Sequence, residues 1–224
     1  KVGQPLMTVY CFVVGNILID TGQSHMRKTV LDIAGKHHIS SVLLTHHHED
    51  HSGNAAAIKQ EFGIPVMAHS LTINKMRHSY KIFPYQHWVW GATTPVVLDS
   101  FSSAVYEYEN LKFQPIHAPG HSKDHTVFLE INNGWLFSGD LYLGDRIKYF
   151  RADEKINEQI RSLKNVLSYD FDGLYCCHNP RSKNGKKHLA VKLQFLEDFY
   201  GRVSVLAEQG LDEKSMVTVV KMSE

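Results

Sequence analysis

The chain has 224 residues, 43% of them hydrophobic, and a formal net charge of +1 at pH 7. Its length suits one large domain or two small ones whose core needs no disulfides, and the balanced charge gives no overall field that favours nucleic acid or a membrane surface. The three cysteines form no disulfide framework, so we expect a reducing, cytoplasmic compartment. No apolar run is long enough to cross a bilayer.

The first third of the chain alternates between strand and helix patterns. A turn at Gly15-Asn16 divides a β-branched stretch into a hairpin. Ser24 is the predicted N-cap of the first helix, and Gly63 is the predicted stop of the second. In order, the predicted elements are a hairpin over residues 8–19, a helix over 24–38, a strand over 41–45, a helix over 53–62 and a strand over 64–68.

The rest of the chain adds a second β-rich half. Residues 70–94 are aromatic without a clean period, which predicts an irregular helix and a long loop. The elements predicted after it are strands over 95–98, 104–108 and 111–116, a hairpin over 126–138 turning at Asn132-Asn133-Gly134, a helix over 153–167, a strand over 173–177, a helix over 186–208 and a short helix capped by Asp212.

Two β-rich halves with helices outside them predict an α/β fold, a four-layer αββα sandwich. No Pro/Gly/Ser-rich linker divides the chain, and no internal repeat is present. We therefore expect residues 1–224 to form a single domain.

Four potential metal ligands lie within six residues, directly after a predicted strand. His46 and His48 are two residues apart, so they point the same way and can share one ion, whereas Asp50 and His51 lie further round the turn and can serve a second. Zn²⁺ accepts imidazole nitrogen at ~2.0–2.1 Å and carboxylate oxygen at a similar distance. Each ion still needs at least one further protein group.

Three further groups follow predicted strands, where loops gather and sites are built. His121 follows Pro119-Gly120, Asp140 ends the strand of the second hairpin, and His178 follows strand 173–177. These complete a predicted dinuclear site, with two Zn²⁺ as the expected cofactors and Mn²⁺ or Fe²⁺ as alternatives. In it, one ion is held by His46, His48 and His121, the other by Asp50, His51 and His178, and Asp140 bridges the two.

The ordered set of these residues resembles the motif set of the metallo-β-lactamase fold superfamily, over roughly residues 8–208. That superfamily has the αββα fold expected here. The positions that carry the resemblance are Asp20, His46, His48, Asp50, His51, His121, Asp140 and His178.

With Asp at position 140, the sequence resembles glyoxalase II-like thioesterases, lactonases and the RNA-cleaving and phosphodiesterase branches. True zinc β-lactamases generally have Cys at this position or alter another ligand. Residues 119–125 and 137–140 look like glyoxalase II relatives and a lactamase-like ribonuclease branch, and the helix over 186–208 is similar to the latter. The resemblance therefore implies a hydrolase that is not a true β-lactamase.

The sequence departs from the family pattern in two places. Asn54 stands where Gly is usual after Gly53, and residues 176–180 read Cys-Cys-His-Asn-Pro where Pro-Gly-His-Gly-Pro is typical. Neither departure removes a ligand, but the second changes the backbone beside His178. The two adjacent cysteines are interpreted as small buried hydrophobes rather than ligands.

By the same analogy, Asp20 binds no metal but hydrogen-bonds the ligand loop from beneath. Asp50 and Asp140 are expected to orient the nucleophile or shuttle its proton. His125, four residues beyond a ligand, and Tyr142, two residues beyond another, are candidate donors to the developing oxyanion. The alternatives are a polar strand edge for His125 and core packing for Tyr142.

Other side chains are candidates for contacts with a substrate. Tyr85, Trp88 and Trp90 are interpreted either as local core or as a lid over a pocket. Arg181 and Lys183 form either a solvated charged face or a site for a carboxylate or phosphate of the substrate.

The predicted function is a dinuclear zinc hydrolase whose bridging hydroxide attacks an ester, thioester or lactone bond of a small molecule. The alternative is a phosphodiesterase or endoribonuclease using the same site, which the nearly neutral charge disfavours because phosphate contacts need clustered Lys and Arg. A di-iron redox protein is a third reading. The expected partner is a small-molecule substrate; nucleic acid is not favoured, no membrane is expected, and the sequence leaves the oligomeric state open.

Overall fold

The computed structural model describes residues 8–101, 103–147 and 150–222. Two five-stranded sheets face each other, and helices cover their outer faces. This confirms the predicted αββα sandwich. None of the described helices is both long and apolar enough to span a bilayer.

The first sheet has the order β1-β2-β3-β4-β5. β1 and β2 form the predicted antiparallel hairpin, and the remaining neighbours are parallel. Parallel strands covered on both faces are apolar throughout, and β2, β3 and β4 are accordingly buried at every residue. The strands are β1 (Phe12–Val14), β2 (Ile17–Ile19), β3 (Ser41–Leu43), β4 (Val66–Ala68) and β5 (Asp99–Ser100).

The second sheet has the order β10-β9-β8-β7-β6. β6 to β9 form an antiparallel meander, and β10 joins β9 in parallel, with a register shift at its last residue. The strands are β6 (Tyr106–Tyr108), β7 (Leu111–His117), β8 (Thr126–Glu130), β9 (Trp135–Gly139) and β10 (Gly173–Cys176).

Three apolar clusters separate the four layers. Ile19 and Phe128 belong to the cluster between the two sheets, Ile58 to the cluster under the helices of the first sheet, and Leu163 and Leu189 to that of the second. The described helices are α1 (Arg27–Lys36), α2 (Glu49–Ser52), α3 (Ala55–Phe62), α4 (Ser70–Met76), α5 (Pro84–Val89), α6 (Ile156–Leu167), α7 (Gly185–Glu208) and α8 (Glu213–Met222).

Three local predictions were wrong, and all involve the segment that precedes β5. Residues 95–98 form no strand, and the edge strand β5 begins only at Asp99. Residues 84–89 form α5 rather than a loop: Pro84 sits in its first turn, and the Gln86 amide oxygen accepts a hydrogen bond from the Phe83 N–H at 2.8 Å. Ser24 does not cap α1, because its hydroxyl donates instead to the Trp90 carbonyl at 3.3 Å. A contact with a residue 66 positions away decides the case of Ser24, whereas Pro84 and Gln86 are local signals for the start of α5.

Gly53 is required where α2 meets the loop after β2. A Cβ atom at this position would lie 2.5 Å from the Glu49 carbonyl oxygen and 2.6 Å from the Ser24 nitrogen, both backbone atoms. We expect Gly53→Ala to lower the free energy of unfolding by about 1–3 kcal/mol, because the backbone must shift.

The matched control is Gly201→Ala in α7, where a Cβ atom would meet nothing within 4 Å. That change should raise stability by roughly 0.5–1 kcal/mol through helix propensity. Urea unfolding followed by circular dichroism measures both variants. Equal urea midpoints for Gly53→Ala and the parent protein would show that the close approach of these backbone atoms to position 53 does not limit stability.

Candidate metal centre

All seven predicted ligands converge at one end of the sandwich. His46 follows β3, α2 carries Asp50 and His51, and Asp140 follows β9 directly. His48 precedes α2, His121 lies between β7 and β8, and His178 comes two residues after β10. The ends of the strands thus bring side chains that are up to 132 positions apart in the chain into one buried cluster.

Three imidazoles form a first group of ligand atoms. His46 Nε2 and His121 Nε2 lie 2.8 and 3.0 Å from His48 Nδ1, and the three side chains form a group that could hold a metal ion. Burial, together with neighbouring imidazoles, lowers the pKa of His46 and of His48 well below the ordinary value. Neutral rings of this kind present lone pairs to a cation.

A second group lies beside the first. Asp50 Oδ2 is 3.5 Å from His178 Nε2 and 3.8 Å from His51 Nε2. Asp140 Oδ1 is 3.3 Å from His51 Nε2 and 3.4 Å from His178 Nε2, while its Oδ2 is 3.3 Å from His121 Nε2. One carboxylate oxygen of Asp140 therefore faces each group, which is the arrangement a bridging ligand needs.

Unpartnered buried atoms test whether this set fits a metal. His51 Nε2 and Asp140 Oδ1 are buried and have no hydrogen-bond partner, although buried polar atoms are rarely left unpaired. Both atoms point into the second group. Five imidazoles and two carboxylates form a donor set suited to Zn²⁺, with Mn²⁺ or Fe²⁺ as alternatives. The residues therefore fit the predicted pair of divalent cations.

Asp20 supports the ligand loop from beneath, as expected. Its Oδ1 accepts the Thr45 backbone N–H at 2.8 Å, and its Oδ2 accepts a hydrogen bond from His51 Nδ1 at 2.7 Å. The Thr45 hydroxyl donates to Oδ2 at 2.8 Å. The residue has a positive φ of 58°, a conformation that Asp tolerates better than most residues. A carboxylate placed behind a ligating imidazole fixes the orientation of the ring and raises its basicity.

Glu154 performs the same task for His121 and was missed in the sequence. Its Oε1 lies 2.8 Å from His121 Nδ1, and its Oε2 accepts from the Gln159 amide at 3.2 Å. It precedes α6 by two residues and stands 33 positions from its partner. No local motif marks such a pairing, so only the packed fold brings the two together.

Two more buried pairs surround the ligand loop. The Asp124 carboxylate accepts the His47 backbone N–H at 3.0 Å, the His47 ring at 2.9 Å and the Thr72 hydroxyl at 2.8 Å. Although burial opposes it, the contact with His47 holds the pKa of Asp124 well below its usual range. Glu49, between the ligands in sequence, is buried and accepts from the Gln86 amide at 3.1 Å.

His125 and Tyr142 do not fit the predicted role as oxyanion donors. His125 is fully buried; its Nε2 accepts the Asp140 backbone N–H at 3.0 Å, and burial with the neighbouring His121 lowers its pKa to about 3. The Tyr142 hydroxyl donates to Asp145 at 2.7 Å, and burial raises its pKa to about 12. Neither side chain lines the cleft above the ligands. His125 instead supports the Asp140 backbone.

The departures from the family pattern have local explanations. The Asn54 amide donates to the Thr21 carbonyl at 2.7 Å and the Gln23 carbonyl at 2.9 Å, so it holds the loop after β2 against α3. Cys177 is buried, and its thiol donates to the Tyr10 carbonyl at 3.2 Å. Its sulfur also lies within 4.8 Å of ligand atoms of His51 and His178, so of the two cysteines it is the one that borders the site.

An open cleft of about 680 Å³ leads to the ligands. Arg181 and Lys183 are not among its described lining residues, whereas Arg151 is. Its lining residues are Gln23, His48, Glu49, Asp50, Tyr85, Gln86, Trp88, Val89, Trp90, His121, Asp140, Leu143, Arg151, Glu154 and His178.

Comparison with known proteins agrees with this fold. Residues 5–178 match the family model described as the metallo-beta-lactamase superfamily, and the chain belongs to that superfamily. It is similar to an atrochrysone carboxyl ACP thioesterase of Aspergillus fumigatus (29% identity, 68% of this chain and 43% of the relative). It is also similar to a hydroxyacylglutathione hydrolase of Bdellovibrio bacteriovorus (29% identity, 67% and 53%). The chain thus spans about half the length of these relatives.

Solved structures show the same fold at low identity. The crystal structure of TTHA1623 in a di-iron-bound form superposes with a TM-score of 0.62 at 24% identity, covering 83% of this chain and 94% of that one. BJP-1, a subclass B3 metallo-beta-lactamase of Bradyrhizobium japonicum, gives a TM-score of 0.64 at 18% identity, covering 92% and 90%.

The hydrogen bond from His121 to Glu154 predicts a measurable effect on metal affinity. We expect Glu154→Ala to weaken divalent-metal binding by about 10- to 100-fold, because the imidazole loses the carboxylate that orients it. Competition with a chromophoric chelator measures this directly. Glu154→Gln, which keeps an amide oxygen as acceptor, should recover part of the affinity, and Glu158→Ala in α6 is the control. An unchanged affinity in Glu154→Ala would contradict the assigned role.

Proposed function

We propose that this protein is a dinuclear metal-dependent hydrolase that cleaves a carboxylic ester-type bond of a small molecule, with thioesters as the first class to test. The observation that carries the proposal is the position of Asp140, with one oxygen facing each of two groups of imidazoles at the floor of an open cleft.

The ligand set is proposed to hold two zinc ions in the groups described above, with Asp140 between them. Bound there, the cations would acidify a water molecule to a pKa near ~7 and neutralise charge that develops on the carbonyl oxygen. Imidazole and carboxylate ligands serve this chemistry well, since they leave room for water and substrate on the side of the cleft.

The protein's own groups are proposed to hold the attacking water and its proton. Asp50 lines the cleft beside His178, so its carboxylate can orient the water and accept its proton. Asp20 and Glu154 carry no such role: their carboxylates are engaged by His51 and His121, and they keep these rings in place.

Two observations favour a carboxylic substrate over a phosphodiester. The names of two relatives, a thioesterase and a hydroxyacylglutathione hydrolase, support thioester hydrolysis. Phosphate backbones are recognised by clustered Lys and Arg, and Arg151 is the one such side chain among the described lining residues of the cleft. Phosphodiester cleavage is therefore an outcome of the test rather than the expectation.

A substrate panel with metal analysis tests the proposal. The zinc-loaded protein is assayed with an N-acetylcysteamine thioester, a p-nitrophenyl ester, a lactone, bis(p-nitrophenyl) phosphate and a chromogenic β-lactam. We expect the carboxylic compounds to turn over, the thioester fastest, and activity to vanish on chelation and return with zinc. Turnover of the phosphodiester alone, or activity that survives complete metal removal, would overturn it.

Asp50→Ala separates catalysis from folding. We expect loss of one bound ion and a fall in turnover on the order of 100-fold or more, because the variant lacks a ligand and a proton acceptor. Metal content per chain and circular dichroism accompany the kinetics. Asp32→Ala is the control, since the exposed Asp32 forms an ion pair with the exposed Lys28 on α1. Full turnover by Asp50→Ala with both ions bound would count against the scheme.

A further inference from the structure

The cleft above the ligands has an aromatic wall that is unusually exposed. Trp88 has 82% of its surface accessible to solvent and Tyr85 58%, and both line the cleft together with Val89, Trp90 and Leu143. Neighbouring exposed aromatic side chains mark binding surfaces more often than isolated ones do. All but Leu143 belong to α5 or directly follow it, so one short helix supplies most of this wall.

The α5 wall is anchored rather than loose. The Gln86 amide group connects the buried Glu49 carboxylate of α2 (3.1 Å) to the Phe83 N–H at the start of α5 (2.8 Å). At the other end, the Trp90 carbonyl accepts the Ser24 backbone N–H at 3.1 Å. A rigid aromatic surface loses little conformational entropy when a flat ligand stacks on it, which favours binding.

Arg151 is the cationic side chain among the described lining residues of this cleft, and it is not one of the predicted ligands. Arg151 donates from Nε and Nη2 to the Asp153 carboxylate at 3.1 and 3.3 Å. A guanidinium has five N–H donors, so this pairing fixes its plane and leaves donors for a further acceptor. The described part of the lining thus combines a flat apolar surface with an oriented positive charge.

We propose that the substrate carries an aromatic acyl group that stacks against Trp88 and Tyr85 and a carboxylate that Arg151 binds. This rests on the proposed function, since it assumes that the scissile bond lies at the predicted metal site. A carboxylate suits one guanidinium that already shares its charge with Asp153, whereas a polyphosphate or nucleic-acid backbone would need several cations.

Three thioesters with one small leaving group test this inference. N-acetylcysteamine thioesters of acetic, 4-methylbenzoic and 4-carboxybenzoic acid differ only in the acyl part, and each is compared between variants so that intrinsic reactivity cancels. We expect the zinc-loaded parent protein to prefer the 4-carboxybenzoyl thioester in kcat/KM. Failure of all three would count against the proposed function, whereas turnover without an aromatic preference would overturn only the present inference.

Trp88→Ala tests the aromatic wall. The ratio of kcat/KM for the 4-methylbenzoyl over the acetyl thioester should fall about three- to tenfold, the range expected for loss of one aromatic pair. Phe62→Ala is the matched control, because Phe62 is an exposed aromatic residue (36%) at the end of α3 and is not among the described lining residues of the cleft. An equal fall of this kcat/KM ratio in both variants would overturn the inference that Trp88 stacks on the acyl group. So would a parent dimer, detected by sedimentation, that Trp88→Ala dissociates, because Trp88 would then face a second copy.

Arg151→Gln tests the carboxylate contact. The preference for 4-carboxybenzoyl over 4-methylbenzoyl should fall roughly tenfold or more, as expected for a hydrogen bond to a charged group. Arg161→Gln, on α6 and outside the cleft, is the control and should leave the preference intact. Binding of 4-carbamoylbenzoate, an analogue without a thioester, gives a readout independent of turnover. Binding of this analogue that is weakened in Arg151→Gln but not in Arg161→Gln supports the inference. Equal binding in the parent protein and Arg151→Gln overturns it.

Discussion

The centre of this protein depends on imidazole nitrogens held 2.8–3.0 Å apart inside a buried pocket. At pH 7 His46 and His48 are neutral, because burial penalises their charged forms. Each neutral ring has one N–H and one acceptor nitrogen, so three ring nitrogens that meet at one point leave lone pairs directed at that point, and a shared cation can accept these lone pairs. The fold supports the rings from behind, and the donor set fits the cation.

The support comes from buried carboxylates, each placed behind one imidazole ring. Asp20 stands behind His51, Glu154 behind His121 and Asp124 behind His47, each with its carboxylate within 2.7–2.9 Å of a ring nitrogen. Each carboxylate fixes a ring that the preceding strand only places approximately. Of these three rings, His47 is not a predicted ligand. Its network instead joins the loop of the predicted ligands to α4 through Thr72, so that loop is held on the side away from the predicted metal site as well.

The sequence predicted most of this fold because hydrophobic pattern and ligand spacing point the same way. The hairpin at Gly15, the stop at Gly63 and the convergence of the seven predicted ligands follow from local signals: turn chemistry, a left-handed Gly and polar residues at strand ends. The role of Glu154 and the position of α5 were not predicted, because they depend on partners that are 33 and 37 residues away in the chain. His125 and Tyr142 were misassigned for a related reason: proximity in sequence to a ligand does not say which face of the strand end a side chain occupies.

The buried link from Glu49 to Gln86 has a consequence for substrate choice. Glu49 belongs to α2, the same short helix that carries Asp50 and His51, and its carboxylate holds the helix that bears Trp88. The α5 wall therefore cannot swing away as an independent lid without breaking a buried hydrogen bond to the ligand-bearing helix. A group left charged and unpaired there would cost several kcal/mol. For the proposed acyl substrates, a poor match to the wall is therefore expected to weaken stacking rather than to open the cleft, so that shape and charge of the acyl group, more than motion of the protein, would set specificity.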